Sequence, residues 1–227
     1  VTILETQEVV GFGPLQVGFD SSVLRPRAWT LGQSQWAAEL APAGQPLLEV
    51  GCGAGHIGLA AAVMSGSRLV QVDRDPVACR WAGHNAATAG CADRVEQRCG
   101  TAAEVLADGE MFDVVIADPP YVPSDDVLLY PDDPRAAIDG GPDGLEEVRS
   151  FLVDIAGHLA PGGSVLLQVR GAGQVDELDR WLTHPASPPF VLTEARFYGE
   201  LRAVVRLVHG SSAHRDSNRD RNRASSS

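Results

Sequence analysis

Two short stretches of the chain carry residue types that could do chemistry together. Glu49-Val50-Gly51-Cys52-Gly53-Ala54-Gly55 closes an apolar run and opens a helical pattern, and Asp118-Pro119-Pro120-Tyr121 ends a second, β-branched run. Glycines let a backbone turn sharply and approach a ligand without a side-chain clash. The first string also contains Gly53-x-Gly55-x-x-Gly58, with Asp73 placed 20 residues after Gly53, which matches a dinucleotide fingerprint. A nicotinamide or flavin cofactor, or a plain strand-to-helix turn, therefore stays open on the glycines alone. Glu49 separates the readings. An acid at the strand end repels a pyrophosphate but can pair with a ligand amine, and Asp73 can accept hydrogen bonds from both hydroxyls of a ribose. A nucleoside with an amino-acid tail and no phosphate fits best, which points to S-adenosylmethionine. The candidate cofactor residues are Glu49, Gly51, Gly53, Gly55, Asp73, Arg74, Asp118 and, from the N-terminal segment, Thr30.

At the second stretch, two prolines fix the backbone and remove donors, so carbonyls near Asp118 and Pro119 can point at a substrate nitrogen. The Asp118 carboxylate can accept one N–H, the Pro119 carbonyl a second, and the Tyr121 ring can pack on a planar amide or base. Such a nitrogen is a poor nucleophile because its lone pair is delocalised. Accepting both hydrogens favours the electron-rich form, and in-line positioning against a sulfonium methyl completes the chemistry without a metal. Asp118, Pro119 and Tyr121 are the candidate catalytic residues; a Pro-rich surface turn is the competing reading.

These residues must be held at strand ends, and the rest of the chain supplies the strands. Apolar runs at 46–50, 69–73, 112–117 and 164–169 alternate with helical patterns at 57–64, 76–89, 145–159 and 174–182, with a weaker strand at 94–98. That alternation predicts an α/β fold with a mainly parallel sheet and helices on both faces. Pro161-Gly162-Gly163 reads as a turn, and strands at 191–197 and 202–208 close the domain. In an open sheet of this kind, ligands lie beyond the carboxyl ends of the strands. The segment before residue 44 has Gly and Pro punctuation and a helical patch at 33–40. The expected division is an N-terminal segment at 1–43 covering the site, a catalytic domain at 44–208 and a disordered tail at 209–227.

The chain has 227 residues and a net charge of -12, and all 18 of its basic residues are Arg. The only basic run, Ser211 to Ser227, holds four Arg and two Asp; without it the body has 14 basic and 28 acidic residues. A broad grip on nucleic-acid phosphates is disfavoured by that balance. Cys52, Cys79, Cys91 and Cys99 form no C-x-x-C pair and no metal-ligand spacing with the histidines, and they read as reduced thiols. With no signal pattern and no apolar run of membrane-spanning length, the expected location is the cytoplasm.

Glu49-x-Gly-x-Gly-x-Gly, Asp73 and Asp118-Pro-Pro-Tyr121 together resemble the class I S-adenosylmethionine-dependent methyltransferases whose fourth strand ends in [N/D]-P-P-[Y/F/W]. Asp133-Pro134-Arg135-Ala136-Ala137-Ile138-Asp139-Gly140-Gly141-Pro142-Asp143-Gly144-Leu145, followed by Arg149, is similar to a segment of the HemK/PrmC family of protein glutamine N5-methyltransferases. Pro26-Arg27-Ala28-Trp29-Thr30, Gln168, Gln174 and Gly199-Glu200-Leu201-Arg202 match further segments of that family. The resemblance runs from about Val23 to Val208 and implies a Rossmann-like fold with a seven-stranded sheet, S-adenosylmethionine as cofactor and a glutamine amide as acceptor. A release-factor-like protein is then the expected substrate, with a helper subunit for docking, because the family's N-terminal helical domain finds no counterpart in 1–43. An amine of rRNA, tRNA or DNA is the alternative acceptor, favoured by Asp118 where the family has Asn; a non-catalytic cofactor-binding partner is the third reading. Arg27 is expected at the mouth of the site or on a surface acid. Asn85 and Glu104 are expected either near an adenine or as caps, and Trp29 and Trp36 as packing over the cofactor.

Overall fold

The computed structural model describes residues 7–210. The expected tail lies outside the described residues from position 211 onward, as does the basic run. An antiparallel hairpin, β1 (Glu8–Phe12) and β2 (Leu15–Phe19), comes first, and a single 3-10 turn (Ala28–Thr30) leads into α1 (Leu31–Leu40). There follow β3 (Pro46–Val50), α2 (His56–Ser65), β4 (Arg68–Asp73), α3 (Pro76–Thr88), β5 (Val95–Cys99), α4 (Ala102–Val105) and β6 (Phe112–Ala117). A 3-10 segment (Ser124–Leu129), α5 (Arg135–Ile138) and α6 (Glu146–Asp154) precede β7 (Leu159–Val169), α7 (Gly171–Leu182), β8 (Phe190–Phe197) and β9 (Ala203–His209). Among the described residues no helix is long and apolar enough to cross a membrane.

The main sheet has seven strands in the order β5-β4-β3-β6-β7-β9-β8. Strands β5, β4, β3, β6 and β7 run parallel, while β9 is antiparallel to both β7 and β8. Strand order reverses between β3 and β6, so the carboxyl ends at Val50, Asp73 and Ala117 gather beside the crevice where such sheets bind ligands. Successive side chains of a strand face opposite ways. Leu47, Leu69, Val114, Ile116 and Leu166 accordingly join one core with α1, α2, α3 and the hairpin, and Leu48, Val70, Val115, Val165 and Leu167 join another with α6 and α7. Each large apolar side chain buried this way contributes about 1.5–3 kcal/mol, and strands buried on both faces explain why the sequence reads as continuous apolar runs.

Three boundaries differ from the sequence reading. The hairpin within 1–43 was not anticipated, although Gly13-Pro14 between Val10-Gly11-Phe12 and the alternating Leu15-Gln16-Val17 was its signal; Leu15, Val17 and Phe19 are buried. The helix expected to reach Leu159 ends at Asp154, because Leu159 is already paired with Phe112. Pro161-Gly162-Gly163 is no turn but lies inside β7, where the register shifts between Phe112 and Val114 absorb the extra residues. A Cβ on Gly163 would stand 2.9 Å from the Asp113 carbonyl, so only glycine lets the chain rejoin β6 there.

Candidate active site

The turn between β3 and α2 is built by glycines at positive φ, including Gly51 at +69° and Gly53 at +53°, and at both positions an added Cβ would meet nothing within 4 Å. Conformation and an open approach, not crowding, therefore select glycine there. Gly58 is a glycine for the opposite reason: its Cβ would fall 2.5 Å from Glu49 Oε2. That close approach lets the buried Glu49 carboxylate accept from the Gly58 N–H at 3.0 Å and from Gln71 Nε2 at 2.6 Å. Glu49 thus braces the first turn of α2 against β3 and β4. Asp73, at the end of β4, reaches across the turn and accepts from the Gly53 N–H at 2.8 Å and the Asp75 N–H at 2.9 Å.

Asp118 follows β6 directly. Its carboxylate is half-buried and, among the described residues, meets no hydrogen-bond donor. The loop carrying it is fixed from outside. The Val122 N–H donates to the Ile138 carbonyl and the Gly140 N–H to the Val122 carbonyl, while Gln174 Nε2 donates to the Tyr121 and Asp143 carbonyls at 2.9 and 3.1 Å. A Cβ on Gly140 would stand 2.7 Å from the Pro120 carbonyl. The long Asp133 to Leu145 segment is therefore a buttress for Asp118-Pro-Pro-Tyr121, and Arg27 ties the N-terminal segment to it through both Asp133 oxygens, at 2.5 and 2.6 Å.

These parts enclose a cavity of about 330 Å³ that Glu49, Gly51, Gly53, Asp73, Arg74, Asp118 and Pro119 all line. Ser22, Val23 and Leu24 of the N-terminal segment form another part of its wall. Three expected site residues lie elsewhere. Gly55 packs under the turn, where its Cβ would be 2.8 Å from that of Ala82. Thr30 is buried, donates to the Arg27 carbonyl and faces His56 Nε2 at 3.5 Å. The Tyr121 ring packs in a small cluster with Val122, Val127 and Ile138. Trp36 is buried in the core, and Trp29 stacks tilted on Tyr198, so neither covers the cavity. Asn85 joins Gly18 of the hairpin to the Ala54 carbonyl of the glycine turn, and Glu104 completes a capping box with Thr101.

Several supporting side chains escaped the sequence reading. Gln33 of α1 donates to the Ala117 and Leu166 carbonyls, both at 3.0 Å, and accepts from Gln168. Gln71 stands among apolar residues of β4, which was the one local hint of a buried polar partner. His56, also on the cavity wall, is neutral: burial pushes it down to about 3, and among the described residues its Nδ1 has no partner.

The electrostatics of the cavity are one-sided. Burial pushes Glu49 up to about 7, helped by the charge of Asp73 and opposed by its hydrogen bonds. Asp118 is likewise pushed up to about 7, by burial first and then by the charge of Glu49, with Arg27 opposing. Burial also raises Asp73. Arg74 at the rim is mostly exposed, with Glu147 at 3.7 Å. Acids this close with so little compensation favour a cationic ligand. They also set a pH dependence. A carboxylate raised on folding binds more protons in the folded than in the unfolded state, so its stabilisation is complete below the unfolded value and is lost as pH rises to the folded one. For Glu49, raised from 4.5 to about 7, the loss is roughly 3 kcal/mol. Urea unfolding of the ligand-free chain between about pH 5 and 8 should show stability falling, and Glu49→Gln should flatten much of the slope. A midpoint that stays constant over that range would contradict this electrostatic picture.

The chain is 34% identical over 199 residues to a release factor glutamine methyltransferase of Gloeobacter violaceus, covering 84% of this chain and 69% of that protein. The chain belongs to the release factor glutamine methyltransferase family. A family protein of the same name from Geobacter sulfurreducens is 36% identical over 180 residues, 77% of this chain and 61% of that one. The chain thus spans about six to seven tenths of the length of these relatives. A ribosomal protein uL3 glutamine methyltransferase of Bradyrhizobium diazoefficiens is 33% identical over 137 residues, 58% and 43% of the two chains. Residues 31–118 match the family described as ribosomal protein L11 methyltransferase (PrmA). Among solved structures, the catalytic domain of hMettl16 in complex with an RNA hairpin superposes with a TM-score of 0.70 at 15% identity, covering 87% and 75%. A methyltransferase from Pyrococcus furiosus gives 0.66 at 18%, covering 88% and 91%. Such structural likenesses show the Rossmann-like methyltransferase fold, and the family membership agrees with the motifs at Asp118–Tyr121 and Asp133–Leu145.

Proposed function

We propose that this chain, working in the cytoplasm, transfers a methyl group from S-adenosylmethionine to the side-chain amide nitrogen of a glutamine in a protein of the translation machinery. The observation that carries the reading is the Asp118 carboxylate, without a hydrogen-bond donor among the described residues, at the end of β6 on an acid-lined cavity that the glycine turn also lines. The residues fit the cofactor: a cavity of about 330 Å³ suits a nucleoside-sized molecule, and its carboxylates suit a sulfonium and an ammonium. Asp73 would hold the ribose, the Gly51 to Gly53 backbone the amino-acid portion, and Arg74 stands at the rim. Glu49 keeps the turn in place and retains a free lone pair on each oxygen for an ammonium. When bound, S-adenosylmethionine supplies an electrophilic methyl group.

Asp118 and the Pro119 carbonyl would accept the two amide hydrogens, which orients the nitrogen and raises its electron density as the new N–C bond forms. The proton then released from nitrogen passes to the Asp118 carboxylate, which a pKa near 7 equips to take it and return it to solvent. Release factors and ribosomal protein uL3 are the substrates named for the relatives, and the acidic body of this chain also favours a protein over a nucleic acid. Incubation with labelled S-adenosylmethionine and either a purified release factor or uL3 should place one methyl on a glutamine, located by peptide mass spectrometry. Label in a cell extract that resists protease but is removed by nuclease would instead assign a nucleic-acid acceptor and sink the proposal.

A further inference from the structure

The end of β5 and the first turns of α3 bring together two thiols that the proposed reaction leaves unused. Cys79 is half-buried and Cys99 exposed, both free. In the parallel register of β4 and β5, Cys99 stands opposite Asp73. Cys79 Sγ donates to the Asp73 carbonyl at 3.2 Å and lies 4.0 Å from the Arg98 carbonyl, next to Cys99 in the chain. Cys79 Sγ thus lies against the carbonyl of the residue that faces Cys99 across the sheet and close to that of the residue before Cys99. This register and these contacts place the two thiols on adjoining elements, one of them open to solvent, and a disulfide needs such neighbouring positions. A metal is a poor alternative occupant: among the described residues no group of three or more His, Cys, Asp or Glu is placed to hold one.

We propose that Cys79 and Cys99 form an oxidative modification site that closes to an intramolecular disulfide in the presence of a peroxide. The Cys99 thiolate attacks one peroxide oxygen, the O–O bond breaks, and the departing hydroxide takes up the thiol proton as water, leaving a sulfenic acid on Cys99. The Cys79 sulfur then attacks the Cys99 sulfur, forms the S–S bond and expels hydroxide, which leaves as a second water with the Cys79 proton. Two thiols lose two electrons and two protons, and one hydrogen peroxide becomes two waters. Burial and the contact with Cys99 push the Cys79 thiol up to about 12, which assigns it the resolving and not the attacking role.

The bond would reach the cavity wall. The Asp73 carbonyl that accepts from Cys79 also accepts from the Gly100 N–H at 2.9 Å, and Ala78, Gly100 and Thr101 line the cavity. Oxidation removes one donor from that carbonyl and ties α3 to the end of β5, so the oxidised chain should bind S-adenosylmethionine several-fold more weakly. This consequence rests on the cofactor reading above, whereas the cross-link does not.

The test treats the purified chain with a small excess of hydrogen peroxide, digests it without reduction and maps peptides by mass spectrometry. Expected is a linked pair of Cys79 and Cys99 peptides, two hydrogens lighter than their sum and separated by dithiothreitol. Cys99→Ser should abolish the link, and Cys79→Ser should leave a sulfenic acid on Cys99 that dimedone traps. Conversion of Cys99 to sulfinic or sulfonic acid without a link, or a disulfide only between chains, would overturn the site. Calorimetric titration then compares the reduced and oxidised proteins: unchanged affinity with the link formed overturns the coupling, and no binding by the reduced protein refutes the cofactor reading instead.

Discussion

Asp118→Ala should lower methyl transfer by about 100- to 1000-fold while leaving the affinity for S-adenosylmethionine within a few-fold of its original value. The magnitude is taken by analogy from deleting one preorganised donor of an oxyanion hole, about 2.7–4 kcal/mol, since Asp118 likewise would meet charge that develops only in the transition state. Folding should not suffer, because the carboxylate holds no other residue of the described chain and its burial is unfavourable to its charge. Asp118→Asn sharpens the test. It keeps an oxygen acceptor in the same place and removes the charge, so transfer should survive within about tenfold. Its pH profile should differ, however: the original protein should lose rate as pH falls and the carboxylate protonates, at or below about 7, whereas the Asn variant should be flat there. Single-turnover rates with a saturating glutamine-bearing protein would measure both. Full turnover by Asp118→Ala would remove the role assigned to this residue and reopen the chemistry of the loop.

Asp73→Ala should act on the other half of the reaction, raising the dissociation constant for S-adenosylmethionine by about 10- to 100-fold with little change in turnover at saturating cofactor. Two effects add. Hydrogen bonds from hydroxyls to a carboxylate contribute about 1.5–3 kcal/mol each, and the same carboxylate holds the Gly53 and Asp75 N–H groups that shape the turn. Isothermal titration calorimetry separates these contributions when paired with thermal unfolding. A residue that served only the turn would lower the melting temperature and leave the affinity of the folded protein unchanged, which is the result that would defeat this assignment. The two substitutions are also expected to be independent in their readouts, since the proposed reaction sets one residue at the methyl acceptor and the other at the donor.

The reach of the sequence can be judged at individual residues. That Glu49, Asp73 and Asp118 line one cavity was legible because each sits where an apolar run ends, and in a parallel sheet the strand ends border the ligand crevice. Burial on both faces made β3, β4 and β6 conspicuous as runs, so their boundaries agree with the structure to within a residue. Local chemistry failed where a partner strand decides. Pro161-Gly162-Gly163 has the composition of a turn, yet pairing with β6 draws it into β7. The placement of Thr30 failed for a related reason. Its motif marks the segment near the site, but the helix that follows turns its hydroxyl toward His56 and the Arg27 carbonyl instead of the cavity.

What the sequence alone determined is the chemistry available at each strand end, because side-chain type, glycine freedom and proline geometry are local properties. It also determined that those ends share one edge, because alternating strands and helices admit little besides a parallel sheet. Only the tertiary structure decided which groups are free to react. Glu49 and Asp73 are both engaged by the turn they border, while Asp118 is left without a donor among the described residues. The partners that make this difference come from far along the chain: Gln71 on Glu49, Gln174 on the Tyr121 carbonyl, and Gln33 bridging residues as distant as Leu166. A buried amide finds its hydrogen-bond partners through packing, and packing between elements 22 to 133 residues apart leaves no periodicity or spacing for a sequence to display.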